Sequence, residues 1–187
     1  MSTPAVPHAQ LGSGIPCGPP PGGAPGATVQ VKSLRFGTLD VPSDRVVRFV
    51  RAVVGFDNLL YYAAIEDKES APILWLQALG APEVLLPAVD ACRVTGSHSL
   101  ELGDEEAQLL ELEQAEDARV LFVLTLTPDP SGITVNLRAP IVWNTRRATA
   151  MQVVLQDPTL PVAQSLEGVI RERRSNKEVA RAGLDTP

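Results

Sequence analysis

Short apolar segments that recur about every ten residues constrain the fold of this chain most strongly. Between residues 45 and 89 the segments are "RVVRFV", "LLYYAAI", "ILWLQAL" and "EVLLPAV", and Gly55, Pro72 and Gly80 separate them. Apolar runs of this length, bounded by turn residues, are typical of β-strands rather than of helices. The central part of the chain is therefore expected to be built from many short strands.

The same pattern extends to both sides of this central part. "VQVKSL" and "RFGTLDV" alternate around Gly37, which predicts a β-hairpin, and "ARVLFVLTLT", "GITVNLR", "APIVWNT" and "AMQVVLQD" predict further strands. One segment, "GDEEAQLLELEQAED", favours a helix, with Asp104 as its cap and Glu105 and Glu106 at its positive end. About nine short strands with one short helix predict a mainly β fold, a single small β-barrel-like domain.

The ends of the chain differ from this domain in composition. Residues 1–27 hold 7 of the 17 prolines, 6 of the 14 glycines and no charged residue, which predicts a disordered arm. A proline-rich ligand for a partner is the alternative, but no charge flanks the prolines. Residues 28–164 form the predicted domain, and residues 165–187 form a polar tail that is helical or disordered.

The charge and the cysteines set limits on partners and compartment. The net charge is −6, and residues 28–164 carry 18 acidic against 11 basic residues, so binding to nucleic acid is not expected. Cys17 lies in the Pro/Gly-rich arm, so a structural disulfide with Cys92 is not expected and a reducing compartment is predicted. The N-terminus lacks the pattern of a signal peptide and no apolar run suits a membrane span. The predicted location is the cytoplasm.

Catalytic residues are sparse. His98 is the only histidine of the predicted domain, and Cys92 and His98 supply two ligands where a structural zinc site takes four. A hydrolase that uses Cys92 and His98 is the remaining enzymatic alternative. We predict that the chain is not an enzyme and that it holds no cofactor and no metal.

Two stretches are candidates for partner binding. Residues 101–117 contain eight acidic and no basic residues, which favours either a basic partner or simple solubility. "NLRAPIVWNT" places polar groups within an apolar run, which indicates either a strand corner or a direct partner contact. The candidate residues are Glu101, Asp104, Glu105, Glu106, Glu111, Glu113, Asn136, Arg138 and Asn144.

Four stretches together resemble the FliW family of flagellar assembly factors. "RFGTLDVPSDRVVRF" resembles the opening hairpin and next strand of that family, and "GFDNLLYYAAIED" with "PILWLQALGAPEVLLPAVDA" is similar to its GFE and LQS-L pattern. "LFVLTLT" and "ITVNLRAPIVWNTRRATAMQVVLQD" resemble its distinctive N-L-x-A-P-I-V-I-N run. The usual Pro-Gly before Gly55 and the usual proline after Asp90 are missing. The resemblance covers about residues 29–160.

The resemblance implies a function that composition alone does not show. Members of the family are small β-barrel-like proteins without catalysis or cofactor, which bind flagellin and, in many bacteria, the translational regulator CsrA. When flagellin is exported, the freed factor binds CsrA and relieves repression of flagellin mRNA translation. The alternative within this resemblance is a flagellin chaperone without a CsrA role.

Overall fold

A closed barrel of seven strands is the centre of the computed structural model, which describes residues 9–11, 26–96 and 100–172. Thirteen strands occur in this described part of the chain. They are β1 (Ala9–Leu11), β2 (Thr28–Ser33), β3 (Gly37–Pro42), β4 (Val46–Phe49), β5 (Tyr61–Glu66), β6 (Leu74–Ala78), β7 (Leu85–Asp90), β8 (Leu100–Leu102), β9 (Ala118–Thr125), β10 (Thr134–Val135), β11 (Ile141–Asn144), β12 (Thr149–Gln152) and β13 (Gln164–Ser165).

The barrel closes because β11 pairs with two neighbours. The strand order is β11-β12-β4-β5-β6-β7-β9, and β11 also pairs with β9. All of these neighbours are antiparallel except β12 and β4, which run parallel. The far end of β9 pairs with β10, and β10 pairs with β13. The prediction of a mainly β, barrel-like domain is therefore confirmed.

Alternation along the strands divides the apolar residues between the barrel interior and its outer face. The interior cluster includes Phe49, Tyr62, Leu76, Leu121 and Trp143, all fully buried. A second cluster lies on the outer face of β9, β11 and β12 and joins them to β8 and the helices. The barrel interior and one outer face are thus both apolar cores, which explains why β9 is apolar along almost its whole length.

The predicted hairpin packs on a different part of the barrel. β2 and β3 pair in register from Thr28–Pro42 to Ser33–Gly37, and Val31 and Val41 contact Ala63 on the outer side of β5. Gly37 has a φ of +72°, a backbone conformation that glycine adopts without steric cost. The hairpin therefore has the turn residue that its sequence predicted.

Helical segments cover the second cluster. α1 spans Ala91–Thr95, α2 spans Asp104–Leu109, and α3 spans residues 166–172. α2 confirms the predicted helix, but Asp104 is its first residue and not its cap. Gly103 occupies the cap position, where its N–H donates to Glu106 Oε2 at 2.7 Å. Asp104 still places a negative charge at the positive end of the helix dipole.

The two ends of the chain are only partly described. β1 lies within the arm that was expected to be disordered, and it pairs antiparallel with β8, whose edge offers free backbone groups. The first part of the polar tail is helical, as α3, and its Val169 is buried in the second cluster.

Within the described residues, no helix combines the length and the hydropathy that crossing a membrane would take.

Cys92 is disulfide-bonded, so the expectation that this residue takes no part in a disulfide is wrong. The residue lies in α1, half-buried on the outside of the barrel. Composition indicated a reducing compartment, but composition cannot show whether folding brings two thiols together. Cys17 and His98 lie outside the described residues.

Candidate partner-binding surface

The acidic segment, residues 101–117, is fixed to the barrel by its apolar side chains. Leu100 and Leu102 in β8 and Leu110 after α2 are almost completely buried in the outer cluster. This anchoring leaves the carboxylates to face solvent. The exposed or half-exposed acids are Glu101, Asp104, Glu105, Glu106, Glu111, Glu113 and Glu116.

Arginines of neighbouring elements pair with part of the acidic segment. Glu105 pairs with Arg51. Arg147 lies 3.0 Å from Glu113 and 3.7 Å from Glu111, measured between nitrogen and oxygen atoms. These side chains are about half exposed, so each pair stabilises the fold by roughly 0–1 kcal/mol. The segment is therefore less negative in the folded protein than its sequence suggests.

Four acids of the segment form no ion pair with the described residues, and one of them, Glu106, accepts a hydrogen bond from the N–H of Gly103. Glu101, Asp104 and Glu116 are exposed and form no ion pair with the part of the chain that the structure describes. Glu101 and Glu106 also line an open cleft of about 520 Å³ between β8 and residues 153–157. The cleft has apolar walls and an acidic rim, which suits a partner that presents basic and apolar groups together.

Asn144 connects the acidic segment to β11. Its Nδ2 donates to the carbonyls of Leu110 and Glu111 at 2.9 and 2.8 Å, and its Oδ1 accepts from the backbone N–H groups of Arg146 and Arg147. The side chain is 1 % exposed. Asn144 thus satisfies backbone groups where the strand ladder ends, as the strand-corner interpretation expects.

Asn136 and Arg138 play a similar part at the other end of the same stretch. Asn136 Oδ1 accepts from the N–H groups of Arg138 and Ala139, and Arg138 donates to the carbonyls of Pro158 and Leu160. These bonds hold the turn before β11 against the loop after β12. A direct partner contact by Asn136, Arg138 or Asn144 stays a prediction.

A buried ion pair that the sequence pattern did not predict lies inside the barrel. Arg119 Nε and Nη2 donate to Asp90 Oδ1 and Oδ2 at 2.7 and 3.0 Å, and both side chains are less than 10 % exposed. The guanidinium also lies over the Trp143 ring, 5.6 Å from its centroid. An arginine within the apolar run "ARVLFVLTLT" was the available signal, since a lone cation there needs a buried partner.

A third feature is a set of exposed apolar side chains on and next to the loop between β4 and β5. Val54, Leu60 and Tyr61, here called the loop patch, are 71 %, 41 % and 51 % exposed. Backbone bonds between Val53, Phe56 and Leu59 fold this loop, and Phe56 and Leu59 pack against the barrel core. The loop that carries these exposed side chains is therefore ordered.

The loop after β5 carries a carboxylate whose pKa is shifted. The hydroxyl of Ser70 and the N–H of Glu69 donate to Asp67, and these bonds lower the pKa of Asp67 below its ordinary value of 3.8. Ser70 Oγ in turn accepts from Trp75 Nε1 at 2.8 Å. Asp67 thus fixes the loop after β5.

The enzymatic alternative is not supported by these contacts. Cys92 is in a disulfide, so its sulfur does not carry the free thiolate that a nucleophile needs. Among the described residues no group of three or more His, Cys, Asp or Glu side chains could hold a metal ion.

These observations define a class: a small mixed β-barrel whose polar clusters mainly serve the fold and whose outer surface carries ordered acidic and apolar patches. A family model described as FliW protein matches residues 30–166. The chain belongs to the FliW family of flagellar assembly factors, a non-enzymatic family, which confirms the prediction that it is not an enzyme.

Similar proteins extend this assignment across most of the domain. The flagellar assembly factor FliW of Geotalea uraniireducens is 34% identical over 128 residues, which are 68% of this chain and 78% of that protein. The factor of Thermosipho africanus is 32% identical over 133 residues, 71% of this chain and 92% of that protein. A crystal structure of a flagellar assembly factor FliW has the same fold, with a TM-score of 0.68 and 21% identity, and the match covers 74% of this chain and 96% of that one.

Proposed function

We propose that this chain is a cytoplasmic flagellar assembly factor that binds flagellin and, when free of flagellin, binds CsrA. Binding of CsrA would relieve repression of flagellin mRNA translation. The observation that carries the proposal is the family match over residues 30–166, which includes the whole barrel. A flagellin chaperone without a CsrA role is the second candidate, and it applies if the source organism has no CsrA.

The loop patch supports flagellin binding. An amphipathic helix binds by laying its apolar face on an apolar surface, and we propose that flagellin's terminal segments bind in this way. Val54, Leu60 and Tyr61 expose apolar side chains on a backbone that the barrel holds in place. The loop patch is our proposed site for these segments.

Isothermal titration calorimetry with monomeric flagellin from the same organism tests this part. We expect a complex at micromolar concentration with full-length flagellin and none with flagellin that lacks its terminal segments. Tyr61→Asp should weaken binding at least tenfold, because it places a charge in an apolar contact. Val162→Asp, at an exposed valine before β13, is the matched control and should bind normally. No complex with full-length flagellin would contradict the proposal.

The acidic segment supports CsrA binding. CsrA-type proteins bind RNA through basic surfaces, so opposite charge would steer the association. Glu101, Asp104 and Glu116 are exposed and are not neutralised by arginines of the described residues. After docking, these carboxylates would raise the electrostatic cost of bringing RNA phosphates near CsrA without occupying its RNA site.

A further inference from the structure

A cavity of about 350 Å³ opens at one end of the barrel, which we call the barrel mouth. It lies between the loop after β5 and the start of α1, apart from the acidic segment and the loop patch. Its lining combines apolar groups with three acids and three bases. These residues are Glu66, Asp67, Lys68, Ala71, Pro72, Ile73, Leu74, Asp90, Arg93 and Arg119.

Every acid of the lining already has a partner. Glu66 lies 3.5 Å from Arg45, Asp67 accepts from Ser70, and Asp90 accepts two bonds from Arg119. The acceptors at the barrel mouth are therefore occupied by groups of the protein itself.

One donor group of the lining, the guanidinium of Arg119, is only partly satisfied by the described residues. Arg119 is 4 % exposed, and its Nη1 has no hydrogen-bond partner in the described part of the chain. A buried guanidinium N–H without an acceptor is costly, because it has lost water and gained nothing in exchange. Asp90 accepts hydrogen bonds only from Nε and Nη2 of the Arg119 guanidinium. The Nη1 side has no acceptor among the described residues, and Arg119 belongs to the lining of the cavity.

We propose that the barrel mouth binds a ligand through a carboxylate group. The carboxylate accepts from Arg119 Nη1, since charge-assisted bonds between guanidinium and carboxylate are short and strong. Lys68 adds positive charge to the lining, as does Arg93, whose Nε lies 3.8 Å from Asp90 Oδ2. Pro72, Ile73 and Leu74 contact the apolar part of the ligand. The volume is at the lower end of the range for ligand pockets, so it suits a small organic acid or the last residues of a peptide.

The test uses the full chain and follows the backbone amide resonances of residues 67–71 and 73 together with the Arg119 side-chain Nε–H. The probes are propionate, acetyl-trialanine with a free C-terminal carboxylate, and the same peptide as its C-terminal amide. We expect saturable shifts with at least one of the two acids and binding at least tenfold weaker for the amide. Saturation by the peptide identifies a chain terminus as the source, and saturation by propionate alone identifies a small acid.

Two variants locate the binding. Ala71→Phe fills the barrel mouth from an exposed position and should abolish the shifts. Ala163→Phe, at an exposed alanine that does not line the cavity, is the control and should bind like the parent. Replacing Arg119 itself is avoided here because it breaks the buried pair with Asp90.

The proposal is overturned if neither acid binds, if acid and amide bind equally, or if Ala71→Phe binds like the parent. The proposal does not depend on flagellin or CsrA binding, because the probes are synthetic and neither protein is present. Its failure and the failure of the proposed function are therefore distinguishable.

Discussion

The ion pair in the interior of the barrel is buried, whereas the ion pairs of the acidic segment are exposed to solvent. Inside, Asp90 and Arg119 form one bidentate pair that is almost completely buried. Outside, Glu105, Glu111 and Glu113 form pairs that are about half exposed or more. A buried charge is costly once its partner is removed, whereas an exposed charge is solvated and remains available to a partner. The Asp90–Arg119 pair therefore serves the fold of the barrel, whereas the acidic segment is suited to binding a partner.

Breaking the buried pair should have the largest effect on stability. Arg119→Met leaves Asp90 buried without its main partner, and we expect a loss of about 3–5 kcal/mol in the free energy of unfolding. Urea unfolding followed by fluorescence measures it. Glu66→Gln, which removes the exposed pair with Arg45, is the control and should cost no more than about 1 kcal/mol.

A double variant sharpens this comparison. Asp90→Leu combined with Arg119→Met removes both charges, so its unfolding free energy should lie above that of Arg119→Met alone. If the single and double variants are equally unstable, the loss comes from packing and not from the orphaned carboxylate.

Removing the Asn144 side chain should have a smaller effect. Asn144→Ala leaves the carbonyl of Glu111 without its side-chain donor and leaves the carbonyl of Leu110 with Thr149 Oγ1 alone, and we expect a loss of about 2–3 kcal/mol. Asn136→Ala, where the side chain is half-buried and supports one turn, should cost about 1 kcal/mol. Equal costs at the two positions would contradict the role assigned to Asn144. Thermal or urea unfolding provides the measurement.

The smallest effect concerns Asp67, whose carboxylate is exposed. Its pKa in the folded protein lies below the ordinary 3.8, so the folded state binds the proton less tightly than the unfolded state. The resulting stabilisation is present above about pH 4 and is lost as the pH falls through the folded pKa. A side-chain NMR titration should place the pKa of Asp67 below 3.8. Ser70→Ala should raise this pKa, because the hydrogen bond from the Ser70 hydroxyl to the carboxylate is lost. A pKa unchanged by Ser70→Ala would refute this cause.

Local patterns predicted most strands and the main helix, because alternation and turn residues act over a few neighbours. β6 and β9 appear where "ILWLQAL" and "ARVLFVLTLT" place them. The parallel pairing of β12 with β4, which the closed barrel also needs, depends on residues about 100 apart in the chain and has no local signal. β8 was missed because three residues are too short for a visible period.

The candidate surface was predictable only in part. The run of acids in residues 101–117 is visible in the sequence, but its neutralisation by Arg51, Arg146 and Arg147 depends on the fold. The pairing of Asp90 with Arg119 could not be read from the sequence either, since the two residues are 29 positions apart in the chain.

The α1 helix follows Asp90 directly, at the position where the family's usual proline is missing.

The most direct test of the account compares two triple variants with equal changes in charge. The first neutralises the unpaired acids by Glu101→Gln, Asp104→Asn and Glu116→Gln. The second neutralises the paired acids by Glu105→Gln, Glu111→Gln and Glu113→Gln. Glu106 is kept in both because it accepts from the N-cap of α2.

Binding to CsrA and release of a leader-RNA probe are then measured at low and high salt. We predict that both variants associate more slowly at low salt, because the steering charge is reduced, and that high salt removes this difference. The first variant should in addition dissociate several-fold faster and release less RNA, because it loses direct contacts. If both variants fold, bind CsrA and release RNA like the parent at low salt, the acidic segment only keeps the protein soluble and the account is wrong.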